Sequence, residues 1–126
     1  MATEVFDQNM IRYEELLQKI TANMTSRIVF EKLPPSEVWK RTEADVTSLQ
    51  KLAEDLRNQM LLFKPEKAPT TKRRTETLIN LLNSFREMLF RKSDDMSGIS
   101  RLALEELRKA VVEGYNLLDL AREIKN

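Results

Sequence analysis

Apolar side chains in this chain recur three and four residues apart in four successive stretches, each ended by a proline or a polar run. The first stretch carries Phe6, Met10, Tyr13, Leu17, Ile20 and Met24, which share one face of a helix with 3.6 residues per turn. It predicts a helix over 3–32, ended by Pro34 and Pro35. Proline cannot donate to the preceding turn, and it pushes the residue before it out of helical backbone. A second helix, opened by Pro35 or Ser36, is predicted over 35–63 from Trp39, Thr42, Val46, Leu49, Ala53, Leu56, Met60 and Phe63. Lys64-Pro65 stops it for the same steric reason.

The third helix, predicted over 71–92, rests on Leu78, Leu82, Phe85 and Leu89, with Leu81 and Met88 beside that stripe. The polar run "KSDDMSG" predicts a turn, and Ser97 is the expected N-cap of a fourth helix over 98–125. That helix has two adjacent stripes. Leu104, Leu107, Val111, Gly114, Leu118 and Ala121 form one; Ala103, Ala110, Leu117, Leu120 and Ile124 form the other. Gly114 in mid-helix costs about 1 kcal/mol relative to alanine. The expected compensation is close approach of a neighbouring helix or of a large side chain such as Trp39.

Short connections make consecutive helices antiparallel neighbours. The fold expected is therefore all-α: an antiparallel up-down-up-down four-helix bundle, with 1–126 as a single helical domain. The alternative is a long coiled-coil hairpin of the first two helices, with the other two packed separately. Only 2 of the 126 residues are glycine, too few for the tight turns of a β-rich fold.

Composition changes the picture in one respect. The formal charge of +1 conceals a basic middle: 8 basic and 10 acidic residues in 1–63, 8 and 3 in 64–92, 5 and 7 in 93–126. Local field, more than total charge, selects an anionic partner. No apolar run is long enough to span a membrane, the first ten residues lack the pattern of a secretion signal, and the chain has no cysteine. A cytoplasmic location is expected, with the nucleus as the other compatible compartment.

Candidate chemistry is sparse. Without histidine the chain lacks the commonest general base and metal ligand, and any Ser-His or Cys-His pair. It also lacks a glycine-rich phosphate loop. The adjacent carboxylates Glu14-Glu15, Glu54-Asp55, Asp94-Asp95 and Glu105-Glu106 read as solvated faces, because charged residues are rarely buried without partners. The expectation is no enzyme, no cofactor and no metal.

Two stretches are candidate contact sites. "KPEKAPTTKRRTET" places Lys64, Lys67, Lys72, Arg73 and Arg74 around the start of the third helix. With Thr70 or Thr71 as cap, the "KRR" run sits at the positive end of the helix dipole, where cations are disfavoured. Free amides and cations together make a phosphate or carboxylate site. In the plainer reading Thr75 is the cap, Glu76 lies in the first turn, and the run is a solvated connector. Thr75, with Lys72 and Arg73 upstream, is also a candidate phosphosite. A dedicated nucleic-acid site is not expected, since aromatics make up 6% of the chain and the positive field is confined to one segment.

The second site is apolar. Ile28 and Phe30 near the end of the first helix, with Leu117, Leu120 and Ile124 on the fourth, exceed what one core face requires. They predict a helix-packing interface, unless both groups are absorbed within the bundle. The function expected is a protein-interaction module or scaffold subunit, pairing with another copy or a different protein. A regulatory module binding an anionic partner (phosphorylated protein, nucleic acid or acidic lipid) through 64–74 is the alternative.

Overall fold

Residues 2–26, 35–90 and 96–125 are described by a computed structural model. They form α1 (Ala2–Thr25), α2 (Pro35–Phe63), a short 3-10 turn (Pro65–Lys67), α3 (Ala68–Phe90) and α4 (Met96–Lys125). The stretch 27–32 of the first expected helix lies outside the described residues.

The join between α2 and α3 is tighter than the sequence implies. Lys64 N–H donates to Met60 O at 2.9 Å, closing the last turn of α2. Lys64 then leaves helical backbone, at φ −139° and ψ 82°. Lys67 N–H returns to Lys64 O at 3.0 Å, and Ala68 N–H returns to Pro65 O. The chain therefore re-enters helix at Ala68, ahead of the expected residue 71. Pro69 favours this early start: in a first turn its missing N–H costs nothing and its fixed φ already suits the helix. α4 likewise opens at Met96, so Ser97 lies inside the helix and is not its N-cap.

The expected stripes become the core. Phe6, Met10, Tyr13, Leu17 and Ile20 of α1 pack with Val46, Leu49, Ala53, Leu56 and Met60 of α2, Leu78, Leu82 and Phe85 of α3, and Leu107, Ala110 and Leu117 of α4. One cluster draws on all four helices, and α4 packs against α1, α2 and α3. This corrects the alternative of a separate hairpin, because the first two helices have no core of their own. The described residues are all-helical, with four helices packed against one another.

α1 packs tightly against α4 at Gly114. A Cβ built there would lie 2.7 Å from Leu17 Cδ2 and 3.3 Å from the Tyr13 hydroxyl. The same hydroxyl donates to Gly114 O at 2.9 Å. The glycine's helix penalty is thus offset by the close approach of a neighbouring helix, through Tyr13 and Leu17 of α1; the Trp39 side chain lies outside the described residues. Burial without a charge partner pushes the Tyr13 phenol far above its ordinary pKa.

Polar ties cross the seams. Asn9 Nδ2 donates to Gln59 Oε1 at 3.1 Å, and Lys19 Nζ to Asp45 Oδ1 at 3.3 Å. Between α2 and α3, Gln50 Nε2 donates to Asn83 Oδ1 at 3.1 Å and Arg86 Nη2 donates to Gln50 Oε1 at 3.3 Å. Arg122 and Lys125, in the last turn of α4, pair with Glu14 and Asp7 of α1. Cations suit that end of a helix. Such half-exposed pairs contribute below about 1 kcal/mol each, so they select neighbours more than they stabilise.

Candidate functional site

The early start of α3 rearranges the basic segment. Lys72, Arg73 and Arg74 occupy its second turn, away from the free amides that a 71 start would have placed beside them. Nor do they converge. Lys67 and Arg74 border a groove against α4, shared with Asp119 and Glu123. Lys72 borders a groove on the α2 side of α3, with Arg57, Asn58 and Glu76. Arg73 is exposed, and Lys64 is half-buried at the bend. The cations form an arc around α3, with the Arg74 end facing carboxylates.

The threonines are corrected outright. None of Thr70, Thr71 and Thr75 precedes the helix as a cap, because α3 already contains all three. Thr71 and Thr75 face the core and are fully buried, and Thr75 Oγ1 donates to Thr71 O at 2.8 Å. Thr75 is therefore no accessible phosphosite; a phosphate there would carry up to two charges into an apolar interior. The signal was present in the sequence. Stepping back from Leu78 by three and then four residues gives Thr75 and Thr71, the same rhythm as Leu78, Leu82 and Phe85.

Among the described residues Thr71 Oγ1 has no hydrogen-bond partner, which makes it an energetic weak point. Thr71→Val, of nearly the same shape, should raise stability by about 1 kcal/mol, because a buried hydroxyl without a partner is costly. Thr75→Val should lie near zero by comparison. Paired urea titrations check this, and a loss of stability in Thr71→Val would contradict it.

The apolar surplus on α4 also needs correction. Leu117, Leu120 and Ile124 are buried within the chain, together with Leu118 and Ala121. A helix that packs against three others buries more than one stripe, which uses up the excess that predicted an interface there. Ile28 and Phe30 lie outside the described residues. Among the described residues the large apolar side chains that do reach solvent are Val5, Ile11, Leu62, Phe63 and Val112. Phe63, expected in the core, is 40% exposed and stacks on Phe6 with ring centroids 5.1 Å apart. Val112 lies with half-buried Leu81 in an α3–α4 groove rimmed by Glu105, Arg108, Lys109 and Glu113.

No family model, curated protein or solved structure matches this chain.

Three of the adjacent carboxylates are held in ion pairs. Glu105 meets Arg108 and Glu106 meets Lys109, each at 3.3 Å and one turn apart on α4. Glu14 meets Arg122, Glu54 and Asp55 are exposed, and Asp94-Asp95 lie outside the described residues. Among the described residues no three acidic side chains gather as a metal-holding group, and no helix is long and apolar enough to cross a membrane.

Proposed function

We propose that this chain is a non-enzymatic helical interaction module, a subunit of a larger assembly whose protein partner docks along helix faces. Its four helices are read as one up-down-up-down antiparallel bundle over a single domain, 1–126. Support for that topology is the reversed order of the seam contacts. Asn9 meets Gln59 while Lys19 meets Asp45, and Asp7 meets Lys125 while Tyr13 meets Gly114.

The observation carrying the functional reading is Val112, 57% exposed in the α3–α4 groove beside Leu81. Two acids and two bases rim this apolar strip, a mixed rim that suits an amphipathic helix with charges of both signs. A photo-crosslinking residue at position 112 should join a discrete polypeptide, whereas one at exposed Lys51 should not. With the photo-crosslinking residue moved to exposed Lys109 on the same groove, Val112→Glu should abolish that product while changing stability by no more than about 0.5 kcal/mol. Equal crosslinking from positions 112 and 51 would remove the groove from consideration.

A second reading, an anionic partner met through Lys64, Lys67, Lys72, Arg73 and Arg74, is favoured by the solvent exposure of Lys67, Lys72 and Arg73.

A further inference from the structure

We propose that the end of the molecule at the α2–α3 turn docks on an anionic lipid surface; the proposal rests on the anionic-partner reading and names its partner. The observation is a juxtaposition. Leu62 is 83% exposed and Phe63 40%, and they are followed at once by Lys64, Pro65 and Lys67. Val5, 51% exposed, belongs to the same end, since its neighbour Phe6 stacks on Phe63. Lys72 and Arg73 follow on the exposed side of α3. From Lys64 to Glu76 the chain has five basic residues and two acidic ones, Glu66 and Glu76. Arg74 is set aside because Asp119 and Glu123 share its groove.

Three features favour lipid. First, Leu62 protrudes, and a protruding apolar tip gains little from a rigid protein surface unless a matching pocket awaits it. The headgroup–acyl boundary of a bilayer deforms to receive such a tip. Second, the cations are dispersed in an arc. A discrete phosphate site needs donors that converge, whereas a charged leaflet attracts dispersed lysines and arginines almost independently of their geometry. Third, an apolar tip has no counterpart on a nucleic-acid backbone, where binding is chiefly phosphate contact. Long lysine side chains can lay their methylene stems beside the tip and keep their charges at headgroup level.

The test uses the full chain, floated with vesicles of phosphatidylcholine alone or of phosphatidylcholine with phosphatidylserine, and loaded in parallel on heparin. Binding to the phosphatidylserine vesicles, with little to phosphatidylcholine and with loss at raised salt, is the expected result. The triple variant Lys67→Gln, Lys72→Gln, Arg73→Gln should weaken it on the order of 100-fold. Leu62→Ser should weaken it on the order of 10-fold. All four positions are exposed, and unchanged helical circular dichroism confirms that the variants fold. Equal affinity for both vesicle types, or indifference to Leu62→Ser, overturns the proposal. Retention on heparin without vesicle binding overturns the lipid assignment and leaves the anionic reading standing. Failure on both supports overturns the two together.

Discussion

Replacing Gly114 by valine lowers the stability of this protein by about 3 kcal/mol or more, a large part of the ~5–15 kcal/mol that holds a typical domain folded. The cause is local. Even the first carbon of a side chain would sit 2.7 Å from Leu17 Cδ2, and Leu17 is fully buried. A branched side chain cannot be accommodated by shifting one methyl group, so α1 must move away from α4. That movement stretches the Tyr13–Gly114 hydrogen bond and leaves a buried phenol without its acceptor. Gly114→Ala is the informative comparison. Alanine recovers about 1 kcal/mol of helix propensity, and the clashing atom is the tip of a flexible side chain. Its net cost should be only about 1 kcal/mol. Denaturant unfolding of the two variants decides it; a valine variant as stable as the parent would mean that the α1–α4 approach is looser than described.

The second large effect appears in alkali. Burial raises the Tyr13 pKa, so the folded protein keeps the phenol proton where an unfolded chain, titrating near its ordinary value of about 10, releases it. The sign follows directly. Below pH ~10 both states hold the proton and stability is unaffected. Above it the unfolded state binds fewer protons, so stability falls by up to about 1.4 kcal/mol per pH unit. Between pH ~10 and ~12 Tyr13 alone should thus remove about 2 kcal/mol. Tyr13→Phe loses about 1 kcal/mol at neutral pH by giving up its hydrogen bond. In exchange its stability should decline less steeply in alkali. Every other titratable group is common to both proteins, so the difference between the two curves isolates Tyr13. Parallel curves across this range would show that the hydroxyl reaches solvent.

Much of the fold was legible residue by residue. The alternating three-and-four rhythm of Phe6, Met10, Tyr13, Leu17 and Ile20 placed each on the buried side of α1. The same rhythm did so on α2 from Thr42 to Met60. The expected start of α3 at 71 rests on Thr70 or Thr71 as cap and passes over Pro69, although proline is at home in a first turn. Thr71 and Thr75 read as caps in the sequence, and their place in the core is hidden because threonine marks neither surface nor core by composition. Its hydroxyl becomes tolerable inside a helix by donating to a carbonyl four residues back, as Thr75 does.

The candidate sites were less legible, since exposure depends on which helices are neighbours. Leu117, Leu120 and Ile124 looked superfluous beside one core face, and they are buried because α4 packs against three helices. Leu62 was on no stripe, and its isolation is what leaves it exposed at the turn.

Taken alone, the sequence determined that this protein is helical, which side of each helix is apolar, and where its positive charge is concentrated. Those are properties of local spacing and composition, and nearest neighbours along the chain suffice to specify them. Only the tertiary structure decided that Gly114 receives Tyr13 and Leu17. It alone separated Lys72 from Arg74 into different grooves and brought Val5 to the same end as Phe63. Such pairings join residues distant in sequence, and they exist only once side chains from different helices compete for the same interior volume.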